Sequence, residues 1–273
     1  MFQLRMVQGL VRGSGRNPVL IYGAAVHEGL AAWYRTGSLQ SALDAITVYY
    51  VANPLGAHED DWRTEAAAKA VMSSYVREYP VEPFNFVRSP EGEPIIEQPF
   101  AFDTGLKTTN GRAIIYGGIF DGMIEQFGNT LVLEHKTTST APTSFYFAQF
   151  HPNNQISGYS WAASRIRGKR VQGALVNALS QNYKGKTEFK RIITTRTEED
   201  EDEWLKSLQA QASAIEAHYE TGHWPMHTSA CTMFGRVCDF HGLHQLGRAV
   251  DRERVLNDGS YSVSHWDFER IER

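Results

Sequence analysis

Two acidic side chains and a lysine lie close together in the sequence, in two stretches that have the composition of β-strands. Asp121 belongs to "AIIYGGIFDGMIEQF", and Glu134 and Lys136 belong to "TLVLEHKTT". Charged groups inside apolar strands are costly unless they have partners. Two carboxylates suit a divalent cation, since Mg²⁺ and Mn²⁺ prefer oxygen ligands and leave room for water and phosphate. A lysine beside such an ion can hold or help to deprotonate a water molecule, so these residue types indicate hydrolysis of a phosphodiester bond.

The turn between the two stretches decides whether the three side chains meet. Gly128-Asn129 predicts a two-residue hairpin turn, in which Asp121 faces Lys136 and Met123 faces Glu134. Directly opposed residues share a face, as do residues two apart on a strand, so the carboxylates and the lysine lie on one face. The diagonal between the two carboxylate residues is then about 7–8 Å at the backbone. The opposite face carries apolar side chains that we expect to enter a core: Phe120, Ile124, Leu131 and Leu133.

A purely structural interpretation of the same residues stays open at this point. A Glu-x-Lys triplet is common, and this chain has a second copy at Glu188-Phe189-Lys190. Cross-strand Asp–Lys pairs are often surface salt bridges that contribute little to stability. The specific feature is Asp121 in matching register on the partner strand, and a slip by one residue would turn its side chain to the wrong face.

The surrounding elements would place this hairpin at the centre of a mixed sheet. Apolar spacing, capping residues and prolines predict three helices near the start of the chain, and strands and further helices follow. The predicted helices cover 22–37, 38–53, 58–80, 152–167 and 197–222, and the predicted strands cover 94–103, 113–127, 130–138, 171–180 and 188–196. We expect one domain over residues 1–273, with a helical region at 1–80, an α/β catalytic core at 94–222 and a C-terminal Cys/His segment at 223–273.

The overall composition leaves the function open. The chain has 273 residues, 42% of them apolar, and a formal charge of −4, which argues against a generally basic protein made for non-specific nucleic-acid binding. No apolar run reaches the roughly 18 residues of a membrane span, and the first residues lack the continuous apolar stretch of a secretory signal. A cytoplasmic location and no membrane partner are therefore expected, and a local basic groove beside an acidic site stays possible.

Two further motifs flank the hairpin, and all the motifs together resemble a known group of enzymes. Gly23 and His27 form a Gly-x-x-x-His pair upstream, and Gln155 and Tyr159 form a Gln-x-x-x-Tyr pair on the helix after the strands. This order of motifs is similar to that of the PD-(D/E)XK nuclease superfamily, most closely to its RecB-type branch, which includes phage exonucleases and CRISPR-adaptation nucleases. The resemblance covers roughly residues 20–245. It implies an α/β, restriction-endonuclease-like fold with a mixed β-sheet core flanked by helices and an N-terminal helical region.

The resemblance also implies a role for each matched residue. The metal ligands would be an imidazole, two carboxylates and one backbone carbonyl: His27, Asp121, Glu134 and His135. Lys136 would position the attacking water and the scissile phosphate, and Gln155 and Tyr159, four residues apart on one helix, would orient Lys136 or a DNA phosphate. An imidazole ligand favours Mn²⁺ somewhat over Mg²⁺. Glu97, on the first predicted strand, could contribute at the edge of the site, although a structural role is the favoured interpretation.

Many RecB-type members hold an iron–sulfur cluster on four cysteines. This chain has only Cys231 and Cys238, which are too few for an ordinary cluster, so none is expected. A Zn²⁺ site from both cysteines and two nearby histidines is conceivable, although the spacing fits no standard knuckle. The candidate histidines are His223, His227, His241 and His244. Two buried thiols without a metal are the favoured interpretation, and zinc is the alternative.

Two basic segments could contact DNA phosphates, or could equally be solvated surface: "RIRGKR" (165–170) and "YKGKTEFKR" (183–191). The leading hypothesis is a Mg²⁺- or Mn²⁺-dependent DNA exonuclease of phage or recombination type, acting on duplex ends or single strands. The first alternative is a nuclease-derived module that binds DNA or a protein without cutting, which the intact charged set disfavours. The second is a Mg²⁺-dependent hydrolase of a small phosphate compound. A protein partner or a homo-oligomer is compatible with the helical region.

Overall fold

The described part of the chain consists of two compact units. The computed structural model describes residues 3–12, 17–56, 61–226, 228–235 and 237–265. The larger unit is Arg16–Ser213, and the smaller unit combines Met1–Gly15 with Ala214–Arg273. This division into compact units does not test the expectation of one domain over residues 1–273, which stays a prediction.

The helices and strands follow the predicted order, with additional short elements at 85–86, at 144–148 and near the two ends of the chain. The α-helices are α1 (Pro18–Thr36), α2 (Leu39–Ala52), α3 (Glu65–Glu78), α4 (Ser144–Ala148), α5 (Asn154–Arg167), α6 (Glu198–Thr221), α7 (His241–Gln245) and α8 (Ala249–Leu256). The strands are β1 (Leu10–Arg12), β2 (Asn85–Phe86), β3 (Ile96–Lys107), β4 (Ala113–Gln126), β5 (Asn129–Thr138), β6 (Gly173–Gln181), β7 (Thr187–Thr195) and β8 (Tyr261–Val263).

The three predicted N-terminal helices are confirmed, and each begins behind a capping residue. Asn17, Ser38 and Thr64 each accept a hydrogen bond from a backbone N–H in the first turn of the following helix. The third helix was predicted from residue 58, but α3 begins only after the Thr64 cap, and residues 57–60 lie outside the described part of the chain. The capping residues therefore define where each helix begins, whereas apolar spacing alone left the first residue uncertain by several positions.

The helices α1, α2 and α3 pack together and against one face of the sheet. Their buried apolar side chains form one cluster, which β6 joins through Leu179. On α1 this buried face includes Ala25, Val26 and Leu30. Burial of the Val26 and Leu30 side chains contributes about 1.5–3 kcal/mol each. This packing fixes α1 against the sheet and so sets the position of His27, which follows Val26.

A six-stranded mixed sheet forms the centre of the larger unit and confirms the predicted fold class. The strand order is β2-β4-β5-β6-β7, and β3 also pairs with β4. All pairs are antiparallel except β5 with β6, which are parallel and are connected through α4 and α5. A parallel pair requires such a crossover, and a helix is its usual form. The fold is therefore a mixed α/β sheet with flanking helices, consistent with a restriction-endonuclease-like architecture.

The two faces of the sheet are covered by different helices. On β6, Ala174, Val176 and Ala178 belong to a core that includes residues of α5 and α6. Leu175 and Leu179, which alternate with them, belong to clusters on the side of α1–α3. All nine residues of β6 are buried, as expected for a strand covered on both faces. The parallel pair β5–β6 thus lies in the interior, and charged residues on β5 need partners there.

Gly158 on α5 allows two aromatic side chains to approach the helix, which gives a stability prediction. A Cβ at this position would lie 2.2 Å from the Tyr116 hydroxyl oxygen and 2.8 Å from a ring carbon of Trp204. We expect Gly158→Ala to destabilise the protein by about 1–3 kcal/mol through overpacking, although alanine is the better helix former. The measurement is the free energy of unfolding in urea. The matched control is Gly242→Ala, a helical glycine with no atom within 4 Å of the added Cβ, and equal loss in both variants would refute the packing argument.

The smaller unit contains a two-stranded antiparallel sheet of β1 and β8. Leu10, Phe240 and Leu243 form its buried cluster, and Phe240 stacks on Tyr261 with ring centroids 5.9 Å apart. None of these elements was predicted, because the parts of the sequence that form them lack a clear periodicity of apolar residues. Among the residues that the structure describes, no helix is both long enough and apolar enough to cross a membrane.

Candidate active site

The hairpin that was predicted to join the carboxylates is present, but its register differs from the prediction. Met123 pairs with Val132 and not with Glu134. The turn consists of Phe127 and Gly128, with φ angles of 49° and 78°. Positive φ at both central residues matches the hand of a tight hairpin turn, and glycine takes the second turn position. The predicted turn therefore began one residue too late.

The observed register ends immediately before the two carboxylate residues. Gly122 pairs with Leu133 as the last pair between β4 and β5, and Asp121 and Glu134 are the next residues along the two strands. The predicted pairing of Asp121 with Lys136 is wrong by two residues. An even shift keeps the alternation of side chains because the period of a strand is two. Asp121 and Glu134 therefore lie next to the end of the paired stretch of the two strands.

One apolar residue of β4 was assigned to the wrong cluster. Phe120 packs on the α5 side of the sheet, as Met123 does, whereas Ile124 packs on the opposite side. The alternation of β4 is therefore broken near Asp121. Directly across from this point on β3, Glu97 has a φ of 51°, which is a strained backbone conformation for a residue other than glycine. The distortion lies at the acidic residues themselves.

His27, Glu97 and Asp121 meet at this distorted point, from α1, β3 and β4. One potential ligand atom of each lies within 4.8 Å of the other two. His27 Nδ1 is 3.0 Å from Asp121 Oδ1 and 4.0 Å from Glu97 Oε1. His27 and Asp121 were predicted to share the site, whereas Glu97 was interpreted as structural at its edge. The available signal was its place opposite Asp121, which only the β3–β4 register reveals.

Lys136 connects the second carboxylate to the Gln-x-x-x-Tyr motif of α5. Its Nζ lies 2.5 Å from Glu134 Oε1 and donates to Gln155 Oε1 at 2.9 Å. Tyr159 lies one turn further along α5, next to Gln155. Glu134 is 2% exposed, and its other oxygen, Oε2, has no hydrogen-bond partner among the described residues. The predicted residues of β5 and α5 therefore form one connected line.

The charges in this cluster perturb each other strongly. Burial, and next the carboxylate of Asp121, raises the pKa of Glu134 to about 7. Burial also disfavours the charged forms of His27 and Asp121, but their mutual attraction outweighs it, so the pKa of His27 rises to about 9 and that of Asp121 falls well below its usual value. The cluster thus holds more acidic groups than its own cations neutralise, and Glu134 takes up a proton near neutral pH.

The donor set of the cluster fits a divalent cation. Oxygen atoms of Glu97 and Asp121 and an imidazole nitrogen of His27 are grouped closely enough to share one ion. The unpartnered Oε2 of Glu134 is a further buried acceptor, judged over the described residues. Mg²⁺ and Mn²⁺ take carboxylate oxygens, and imidazole is a common ligand for transition metals. A cation would offset the excess negative charge, so this group could hold a metal ion.

Comparison with known proteins agrees with this geometry. The sequence pattern of the PD-(D/E)XK nuclease superfamily matches residues 1–243. The chain belongs to this superfamily. The resemblance drawn from the motifs is thereby confirmed, while the RecB-type branch stays a prediction.

More distant comparisons add little. A search of curated proteins found no match. A solved structure titled "Crystal structure of SSO0001" is similar at 15% identity and a TM-score of 0.30, covering 67% of this chain and 71% of that one.

His135, which lies between the two nuclease motif residues on β5, supports Asp121 through its backbone. Its N–H donates to Asp121 Oδ2 at 2.7 Å. Its imidazole is buried, stacks on the Tyr34 ring at 5.6 Å between centroids, and lies 2.9 Å from Asn177 Nδ2. Burial lowers the pKa of His135 to about 3, so the ring is neutral. The predicted role of its carbonyl as a metal ligand stays a prediction.

A buried polar network continues from Asn177 to α3 and β7, on the face of the sheet that α1–α3 cover. Asn177 Nδ2 donates to the Tyr75 hydroxyl at 3.0 Å, and Arg191 donates to the same hydroxyl at 2.6 Å. Arg191 is itself held by Glu82 at 2.7 Å and lies 3.7 Å over the Tyr79 ring. Networks of this kind hold their members in one arrangement when all are satisfied. The strand that carries the superfamily motif is therefore braced by α3 and β7.

The two predicted basic segments are partly neutralised by acidic neighbours. Arg167 donates to Glu125 at 3.1 Å, and Arg191 is engaged by the network described above. Arg170 lies 4.0 Å from carboxylate oxygens of two acidic residues of α6. The lysines of the second segment are exposed: Lys184, Lys186 and Lys190. Exposed basic residues are therefore present in both segments: Arg165 and Lys169 in the first and these three lysines in the second.

The cysteine segment brings no metal-ligating group together within the described residues. Cys231 and Cys238 are free and half-buried, and the Cys238 N–H donates to the Cys231 carbonyl at 2.8 Å. Within the described residues, neither cysteine belongs to a group of three side chains that could bind one metal ion. His227 lies outside the described part of the chain. The second Glu-x-Lys copy, at Glu188 and Lys190, lies exposed on β7, as its structural interpretation requires.

Proposed function

We propose that this protein is a divalent-metal-dependent deoxyribonuclease that hydrolyses phosphodiester bonds. The observation that carries the proposal is the meeting of His27, Glu97 and Asp121 beside Glu134 and Lys136. Membership in a nuclease superfamily supports the reaction class. The cluster has no evident structural purpose, because buried like charges are destabilising without a counter-ion.

The chain's own residues divide the work of such a reaction. When bound, a divalent cation supplies positive charge to the phosphate oxygens and makes a nearby water more acidic. His27, Glu97, Asp121 and Glu134 would hold it. Lys136 is kept between Glu134 and Gln155, so its ammonium group can orient a water or a phosphate oxygen without searching for its position.

We further infer that the protein is a RecB-type exonuclease which acts on DNA ends in phage or recombination processing. The order of the Gly-x-x-x-His, Asp, Glu-x-Lys and Gln-x-x-x-Tyr motifs supports this branch. The 3.0 Å contact between His27 Nδ1 and Asp121 Oδ1 supports a role for the upstream histidine at the acidic cluster. An imidazole among the ligands favours Mn²⁺ over Mg²⁺.

The proposal is tested by incubating end-labelled linear duplex, single-stranded DNA and covalently closed circular DNA with Mg²⁺, Mn²⁺ or EDTA. We expect shortening of linear substrates with either metal, faster with Mn²⁺, and no reaction in EDTA. Intact circular DNA would mark an exonuclease. DNA binding without cleavage under every condition would contradict the proposal and support a binding module instead.

Substitution of Glu97 tests whether this residue binds the metal ion or only lies at the edge of the site. We expect Glu97→Gln to raise the half-saturating Mn²⁺ concentration for cleavage by roughly 10–100-fold, because one carboxylate leaves the cluster. The matched control is Glu125→Gln, an exposed residue of the neighbouring strand that pairs with Arg167. Metal titrations of the cleavage rate measure both, and an unchanged titration for Glu97→Gln would remove this residue from the metal site.

A further inference from the structure

A cavity lies directly beside the proposed catalytic line, between β4, α5 and α6. Its volume is about 260 Å³, somewhat below the roughly 300–1,000 Å³ of sites for drug-sized ligands, so it suits a single small ring system. Two of its lining residues are Gln155 and Tyr159. Gln155 also accepts the hydrogen bond from Lys136, so one wall of the cavity belongs to the site described above.

The lining of the cavity combines aromatic rings with neutral polar groups. Tyr116, Tyr159 and Trp204 supply the rings, and the Tyr116 and Trp204 centroids lie 4.9 Å apart. Ser207 and Gln211 on α6 add a hydroxyl and an amide opposite Gln155. Within the described residues, no lysine, arginine or carboxylate lines the cavity.

This chemistry distinguishes between the parts of a nucleotide. A phosphate is held most strongly by cationic groups, and the described lining offers none. A sugar offers no flat face to the rings. A nucleobase has an aromatic face that stacks on tyrosine and tryptophan and a polar edge that hydrogen-bonds with amides and hydroxyls. The lining therefore matches a nucleobase better than it matches either other part.

We propose that this cavity receives one unpaired nucleobase of the DNA strand, next to the phosphate that is cut. The inference rests on the proposed nuclease function and adds a subsite to it. Gln155 is shared between the cavity and Lys136, so a base seated there would place its own phosphate near the Lys136 ammonium group. Such a site would also select for single strands or frayed ends, because a paired base is held in the duplex stack.

A fluorescence experiment tests the seating of the base. Single-stranded oligonucleotides each carry one 2-aminopurine, moved along the strand, and bind with Mn²⁺ to a Lys136→Met chain that is expected not to cut. We expect the fluorescence to fall at one position through stacking on the aromatic wall. Adding Ser207→Phe, which fills the cavity, should abolish the fall. An equal fall with and without Ser207→Phe would overturn the inference.

A cleavage experiment supplies a second readout with variants that keep Lys136. We expect an abasic residue at the same position to lower kcat/KM of the unmodified protein roughly tenfold. Two substitutions in the lining should reduce this difference: Gln211→Ala, at an exposed rim position, and Ser207→Phe. Both variants should cut the intact and the abasic substrate at more similar rates. Lys206→Ala, exposed on α6 and outside the lining, is the control and should keep the tenfold difference.

The outcomes separate this inference from the nuclease proposal. Cleavage that is indifferent to the abasic residue would overturn the base site and leave the nuclease function standing. Cleavage that discriminates equally in all three variants would do the same. Failure to cut any DNA with any metal would overturn both.

Discussion

An Asp121→Asn chain is expected to lose metal-dependent DNA cleavage by roughly 10³-fold, the largest effect of any single ligand substitution. Asp121 receives the His135 N–H at 2.7 Å and lies 3.0 Å from His27 Nδ1. Asparagine keeps the size of the side chain but removes the negative charge between two other potential ligands. We therefore expect Mn²⁺ binding, measured by isothermal titration calorimetry, to weaken together with the cleavage rate.

The control for this substitution is Asp202→Asn, an exposed acidic residue of α6, which should leave both measurements unchanged. The metal-free Asp121→Asn chain should still fold but with lower stability, because the attraction between Asp121 and His27, which outweighs the cost of burying the carboxylate, is lost in this variant. Full activity with unweakened Mn²⁺ binding in this variant would contradict the assignment of Asp121 as a ligand.

Lys136→Met is the substitution with the second large effect. It is expected to slow DNA cleavage by a factor similar to that of Asp121→Asn, while Mn²⁺ binding stays intact. Methionine keeps much of the apolar length of lysine but lacks the ammonium group that contacts Glu134 and Gln155. Removing a positive charge from beside a cation site should, if anything, tighten metal binding. Cleavage and Mn²⁺ binding in the two variants would therefore distinguish their roles. Lys136 would act on the reacting phosphate or water, whereas Asp121 would hold the ion.

The chain itself supplies a matched control for Lys136. Lys190 is the lysine of the second Glu-x-Lys copy and lies exposed on β7. Lys190→Met should cleave DNA at nearly the unmodified rate, apart from a small loss of affinity for the phosphate backbone. Retained cleavage in Lys136→Met, or equal loss in both variants, would refute the special role of the first triplet.

The local part of the site could be predicted from the sequence because it depends on short-range rules. Glu134 and Lys136 share a face through the strand period, and Gln155 and Tyr159 share a face through the helix period. The register was wrong by two residues, since a glycine can occupy either position of a tight turn. The error was even, so it did not by itself move a side chain to the other face, but the break in the alternation of β4 near Asp121 was not predicted.

The long-range part of the site could not be predicted in the same way. Glu97 reaches the cluster through the β3–β4 pairing, whose register shifts between Asp103 and Lys107, and through an unusual positive φ. Asn177 and Arg191 brace His135 from strands that come forty or more residues later in the chain. No local pattern signals such partners, because contacts of this kind are decided by the tertiary packing of α3 and the sheet.

The measurement that tests the central claim most directly is anomalous diffraction from a crystal soaked in Mn²⁺. The account predicts a peak in the anomalous difference map within bonding distance of Asp121 and at least two of His27, Glu97 and Glu134, with the Lys136 ammonium group nearby. A peak at a different place in the molecule, or an empty map at this cluster under saturating Mn²⁺, would contradict it.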